Sequence, residues 1–207
     1  MYLMRSLFEA SSGSPSQYAA GYAKRMIAIL EAFDTEAIGK AINVLEQACA
    51  EDKTIFALGN GGSSAIASTL VNDLGPNSFV EGQPPFRMVS LTDNVDSITS
   101  VANDSGYEYI FEYQLRVMLR PGDVVVAMSV SGNSPNLVRG VEYAKNNGAT
   151  TIAWTGFDGG KLGQLCDVHV NIPSALDEYG PAEDMFSVMN HMVATYLTQK
   201  RGRNLHH

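Results

Sequence analysis

The chain has 207 residues, of which 45% are hydrophobic and 17% charged, and a formal net charge of -8. That length buries one substantial core, no break in composition marks a second, and the composition is that of an ordinary globular protein. The acidic balance excludes non-specific nucleic-acid binding, which needs a basic surface, but leaves open local capture of a small anion by backbone dipoles. Residues 1–10 lack the apolar core of a signal peptide and no apolar run is long enough to span a membrane, so a cytoplasmic location is expected. Cys49 and Cys166 lie far apart, without CxxC spacing and beside apolar neighbours, which predicts buried free thiols.

In chain order, residues 11–16 are small and polar and read as a flexible lead-in. Apolar residues then recur at helical spacing over 17–33 (Tyr22, Met26, Ile29, Leu30, Phe33) and over 35–50 (Ile38, Ala41, Ile42, Leu45). Two amphipathic helices therefore meet at Asp34-Thr35, with Thr35 as the expected N-cap. A helical hairpin has no place inside a doubly wound sheet, so residues 1–53 are expected to pack against another subunit. Residues 54–200 form the main unit with it, and residues 201–207 read as a disordered tail whose His206 and His207 stand outside the site argument.

The apolar run 54–58 enters a turn of three glycines and an asparagine, Gly59-Asn60-Gly61-Gly62-Ser63, and continues into an Ala- and Leu-rich helix ending near Leu74. Glycines let backbone N–H groups approach a ligand closely, and Ser63 falls where a helix N-terminus offers unpaired donors and partial positive charge, a setting for phosphate. The alternation continues with a strand at 86–91, one or two helices over 94–119 and a buried strand at 123–129. A helix follows at 137–147, then a strand at 150–154, a short helix at 161–165, a strand at 168–172 and a last helix at 183–199. Continuous Val, Ile and Ala strands alternating with helices predict an α/β domain: five parallel strands, helices on both faces, ligands at the strands' carboxyl ends.

The strand at 123–129 runs into a second small polar turn, Ser129-Val130-Ser131-Gly132-Asn133-Ser134-Pro135. Pro135 suits a first helical turn and makes Ser134 the expected N-cap, so hydroxyls and a helix start meet where they can wrap a phosphate without Lys or Arg. Ser64 stands where GxGxxG needs its last glycine, and no GxxxxGK[ST] occurs. A compact monophosphate is therefore expected, with no nucleotide cofactor.

GNGGS at 59–63, ANDSGYEYIF at 102–111, SVSGNSPN at 129–136 and TGFDGGKL at 155–162 resemble the sugar isomerase (SIS) domain, and within it the phosphoheptose isomerases. The resemblance covers nearly the whole chain. It implies a flavodoxin-like sheet, a homotetramer built partly by the N-terminal helices, and sugar-phosphate sites shared between subunits. It also implies that Asn60, Gly61, Gly62, Ser63, Asn103, Asp104, Ser129, Ser131 and Ser134 line the ligand, with Val130 where the family usually has a threonine.

Phosphoheptose isomerases carry a His and a Glu on the first core helix and a Gln and a His near the last, which bind zinc and move the proton. By that resemblance Thr69 stands at the first His, Asp73 at the Glu, Glu183 at the Gln and His191 at the second His; Gly180 replaces a usual aspartate. Thr69 is a poor zinc ligand, which leaves Asp73, Glu183 and His191 as an incomplete metal set. Glu183 and His191 are eight residues apart, roughly 12 Å on one helix, and meet at one ion only if Glu183 precedes the helix. Asp73 lies ten residues beyond Ser63, roughly 15 Å along a helix, a span that suits an extended sugar.

Two functions follow. One is a phosphosugar aldose–ketose isomerase, acting on a substrate such as sedoheptulose 7-phosphate, with Asp73 as base and His191 as acid. The other is a non-catalytic SIS sensor or protein-binding adaptor of the replication-initiator-associating type. His169 alternates outward on the last strand and reads as surface, and the turn Asp158-Gly159-Gly160 borders the site.

Overall fold

A computed structural model describes residues 3–203. Five strands form one sheet: β1 Thr54–Gly59, β2 Arg87–Ser90, β3 Val124–Ser129, β4 Thr150–Thr155 and β5 Val168–Asn171. Their order is β2-β1-β3-β4-β5 and every neighbouring pair is parallel, the flavodoxin-like arrangement. The chain reverses its direction of travel across the sheet between β1 and β3. Gly59 stands in register with Met128, so the two glycine- and serine-rich turns leave the sheet side by side at this switch point.

The helices are α1 Leu3–Ala10, α2 Pro15–Glu31, α3 Thr35–Ala50, α4 Gly62–Leu74, α5 Val95–Asp104, α6 Ile110–Met118, α7 Pro135–Asn146, α8 Gly160–Leu165 and α9 Tyr179–Lys200. All six residues of β3 are buried, and alternate residues serve opposite layers. Val124, Val126 and Met128 pack with Ile55, Ala57 and Trp154 under α3, α4 and α9. Val125 and Ala127 pack with Phe56, Leu58 and Ala153 under α6 and α7. Fully burying a side chain such as Phe56 or Leu70 contributes about 1.5–3 kcal/mol, and truncating one to Ala costs more because the cavity closes only in part.

Several local expectations are corrected. Asp34, not Thr35, caps α3: Thr35 is already the first helical residue, and the Asp34 carboxylate accepts from the Ala37 N–H at 2.9 Å. The segment 11–16 is not a flexible lead-in: Ser11 is buried, and Ser14 caps α2 directly after α1. α1 is itself tied down by Asp177, which accepts from the Leu3 and Met4 N–H groups at 2.9 and 2.8 Å. Of the predicted tail, Arg201 and Arg203 are anchored, donating to the carbonyls of Pro84 and Phe79 at 2.7 Å each; residues 204–207 lie outside the described residues. Cys49 and Cys166 are free, Cys49 buried and Cys166 half-buried; burial pushes the Cys166 thiol up to about 12.

The last helix starts earlier than its apolar pattern suggests. Pro181 is tolerated in a first turn, and the N-cap is Glu178. This carboxylate is fully buried, takes two hydrogen bonds from Arg25 at 2.6 and 2.7 Å, and accepts from the Ala175 N–H at 2.7 Å. Arg25 thereby fastens α2 to the start of α9. Among the described residues no helix is long and apolar enough to cross a membrane.

Candidate functional site

The first turn leaves β1 at Gly59 and reaches α4 through Gly61, whose φ of 55° is open to glycine at little cost. No side chain caps α4. The second turn leaves β3 at Ser129. Here the Ser134 residue takes the N-cap position of α7 as expected, but its hydroxyl makes no capping bond and lies 3.4 Å from Ser129 Oγ. The Gly132 N–H donates to Ser129 Oγ at 3.2 Å, and the Asn133 N–H to Ser131 Oγ at 3.3 Å, so Ser129 and Ser131 shape the turn from within.

Two sets of contacts hold this turn in place. The Leu162 N–H donates to Gly132 O at 3.0 Å and the Lys161 N–H to Asn133 Oδ1 at 3.1 Å, which fixes it to the start of α8. Across the switch point, Asn60 Nδ2 donates to Asn136 Oδ1 at 2.9 Å and Asn136 Nδ2 returns a bond to Asn60 Oδ1 at 2.8 Å. Tyr107 Oη adds a bond to the same Asn60 oxygen at 3.1 Å. The reciprocal amide pair joins the two predicted phosphate turns into one rigid wall.

A cleft of about 780 Å³ opens against that wall. Asn60, Asn133, Ser134 and Asn136 line it with amides and a hydroxyl, Tyr107, Glu108, Arg139 and Glu142 also line it, and Lys161 lines it from α8. Of the residues expected to line the ligand, Asn60 and Ser134 face this cleft, while Gly61, Gly62 and Ser63 follow Asn60 into α4. Asn103 and Asp104 do not line it. They end α5, exposed, and Asn103 Nδ2 donates to Asp104 Oδ1 at 2.8 Å. Asn136, Tyr107, Arg139 and Lys161 were not anticipated. Asn136, Tyr107 and Lys161 fall inside the motifs quoted above, so motif membership was the available signal; Arg139, one turn into α7, had none.

The candidate catalytic residues form a second group. Asn190 Nδ2 donates to Asp73 Oδ2 at 2.9 Å, and His191 Nε2 stands 3.9 Å from that oxygen. The Asp73 side chain is 19% exposed and that of His191 68%, so the pair opens to solvent. Asn190 is fully buried and supports Asp73 through Nδ2, while its Oδ1 has no hydrogen-bond partner among the described residues.

Glu183 does not join them. It lies inside α9 rather than before it, and its Oε1 accepts from Ser63 Oγ at 3.5 Å at the first turn of α4. α4 and α9 run in the same direction, tied at one end by Ser63 and Glu183 and at the other by Asp73 and Asn190. Asp73 and His191 thus offer two donors without the third, and Thr69 spends its hydroxyl on the Ala65 carbonyl at 2.9 Å. This donor set does not fit a three-ligand zinc centre within one chain, and among the described residues no group of three His, Cys, Asp or Glu could hold a metal.

His169 is also corrected. It is half-buried: Thr155 Oγ1 lies 2.6 Å from Nε2, and a Cβ on Gly159 or Gly163 would fall 2.7 or 2.6 Å from its Cε1. The ring fills the space under α8 because those two glycines leave it empty. Burial holds the His169 imidazole below its ordinary value, favouring the neutral ring.

The SIS domain family matches residues 17–156, about two thirds of the chain. The chain belongs to the SIS domain family. It is 37% identical to the phosphoheptose isomerase of Rhodospirillum rubrum over 67% of this chain and 73% of that one. Against the phosphoheptose isomerase of Aquifex aeolicus it is 34% identical, over 72% and 76% of the two chains. The solved phosphoheptose isomerase of Neisseria gonorrhoeae superposes with a TM-score of 0.80 at 28% identity, covering 89% of this chain and 98% of that one. The SIS matches agree with the flavodoxin-like strand order, and they take in both glycine- and serine-rich turns.

Proposed function

We propose that this SIS protein is an aldose–ketose isomerase acting on a phosphosugar such as sedoheptulose 7-phosphate. The single observation that carries this reading is the reciprocal Asn60–Asn136 pair, which welds the two small-residue turns into one wall of a cleft sized for a sugar phosphate. Relatives named phosphoheptose isomerase support the enzyme over a non-catalytic adaptor.

In the reaction, Asp73 takes the proton from the carbon beside the carbonyl as the carbonyl oxygen gains a proton from His191, giving an enediol. Returning the proton from Asp73 to the neighbouring carbon, while His191 recovers its own from the other hydroxyl, completes the exchange. Asn190 holds the Asp73 carboxylate through Oδ2. No step is routed through a metal. Asp73 lies ten residues beyond Ser63 on α4, roughly 15 Å away, a span that suits an extended sugar phosphate, and the homotetramer we propose would bring a neighbouring subunit against this site.

The test is direct conversion of sedoheptulose 7-phosphate, with and without added zinc, by the wild-type protein, Asp73→Asn and His191→Gln. The wild type should form the aldose, and each variant should lose about 100-fold or more in kcat with its stability unchanged. Binding without turnover by the wild type would sink the isomerase reading.

A further inference from the structure

We infer that Lys161 supplies the counter-charge for the substrate's phosphate and so makes this cleft select a dianion. The inference rests on the phosphosugar reading and adds to it the one group that distinguishes a phosphate from a neutral or singly charged ligand. The two small-residue turns donate only amides and hydroxyls, which solvate an anion without neutralising it.

The remaining charges of the cleft leave this role to Lys161. Arg139 is committed by geometry: its Nε and Nη2 bond Oε2 of buried Glu112 at 2.9 and 2.8 Å, a carboxylate it shares with Arg116, and its guanidinium lies 4.1 Å from the Tyr109 ring centre. Glu108 and Glu142 carry the wrong sign for a phosphate. Lys161 is exposed, lines the same cleft as Asn60 and Ser134, and has no carboxylate partner among the described residues.

Its backbone is fixed while its side chain stays free. The Lys161 N–H donates to Asn133 Oδ1, the next N–H donates to Gly132 O, and Gly160, at φ 54°, is packed so closely on the Ser131 carbonyl that a Cβ there would overlap it. The ammonium is thus carried on a flexible stem from a point that cannot shift relative to the serine turn. A lysine serves here as a point charge, so its replacement by arginine preserves sign but not compactness.

The test is calorimetric titration of wild type, Lys161→Met and Lys161→Arg with inorganic phosphate and with sedoheptulose 7-phosphate, alongside steady-state kinetics. Lys161→Met should weaken both ligands about 10- to 100-fold and raise KM by the same factor, with kcat held within about threefold; Lys161→Arg should recover most of the loss. Phosphate affinity of Lys161→Met equal to wild type overturns the inference and leaves the phosphosugar reading standing. So does a fall in kcat at unchanged KM, which would put Lys161 at the reacting carbons. A wild type that binds inorganic phosphate through Lys161 but ignores the sugar phosphate supports the inference and overturns the phosphosugar reading instead.

Discussion

The Glu183 carboxylate lies over Gly62 in the first turn of α4, so closely that a Cβ at position 62 would overlap it. The turn that the sequence marks as an anion cradle therefore carries an anion of its own, and the absence of a side chain at position 62 is what admits it. An incoming phosphate at the first turn of α4 meets like charge.

Glu183→Gln should accordingly tighten inorganic phosphate binding, by about threefold for one like charge a few ångströms off at the protein surface. Calorimetry decides it: unchanged affinity would place the phosphate away from the first turn of α4. In Gly62→Ala the flexible carboxylate should swing aside, with a similar gain in affinity and little loss of stability.

Gly132→Ala is expected to be far more damaging. Gly132 has φ 63°, and a Cβ there would overlap the Gly159 backbone carbonyl, which cannot rotate away as a side chain can. Strain and displacement together should cost about 2–3 kcal/mol, a fall in Tm of roughly 4–12 °C for a chain of this size, and loosen phosphate binding as the turn parts from α8. Differential scanning calorimetry would check the first effect.

The Asn60–Asn136 pair predicts strong coupling. Either single change to Ala removes both bonds of the pair and leaves the surviving Nδ2 without its acceptor, in a buried setting for Asn136 and a half-buried one for Asn60, so the double variant should cost less than the sum of the singles. A coupling of about 1–2 kcal/mol is expected from a double-mutant cycle in urea, and additivity would deny the pair its role in joining the turns.

His169 gives the pH dependence. Its folded value is depressed by burial, so the unfolded chain takes up the proton first, and stability should fall as pH drops through the ordinary value of about 6.5, levelling off below the folded one. His169→Gln should remove that slope while lowering stability near neutral pH. Asp167 acts in a different window: burial opposes its charge, but bonds from Lys145 and Thr151 outweigh it and hold the carboxyl below its ordinary value, so its contribution disappears only under strongly acidic conditions. Urea midpoints of wild type and variant across this range separate the two.

The sequence by itself determined the five strands, their order along the chain and the helices that alternate with them, though not α1, because buried parallel strands read as unbroken Val, Ile and Ala runs and because glycine and serine turns at strand ends have few other uses. It also determined the family, since four ordered motifs span most of the chain. Asn60 and Ser134, which it put in strand-end turns, both line the cleft, for each lies in a turn whose local chemistry is self-contained.

What only the tertiary structure decided was which turns meet and which side chains reach across. That Asn60 bonds Asn136, that Glu183 covers Gly62 rather than joining His191, and that Lys161 faces the serine turn all depend on the strand order and on α4 and α9 running in the same direction. Helical periodicity reports a face and not a partner, so the eight-residue spacing of Glu183 and His191 could not say that the first turns of α9 meet the start of α4 while its middle supports Asp73. The same limit hid the space under α8: His169 looked like an outward residue on an edge strand until Gly159 and Gly163 were seen to leave room for its ring.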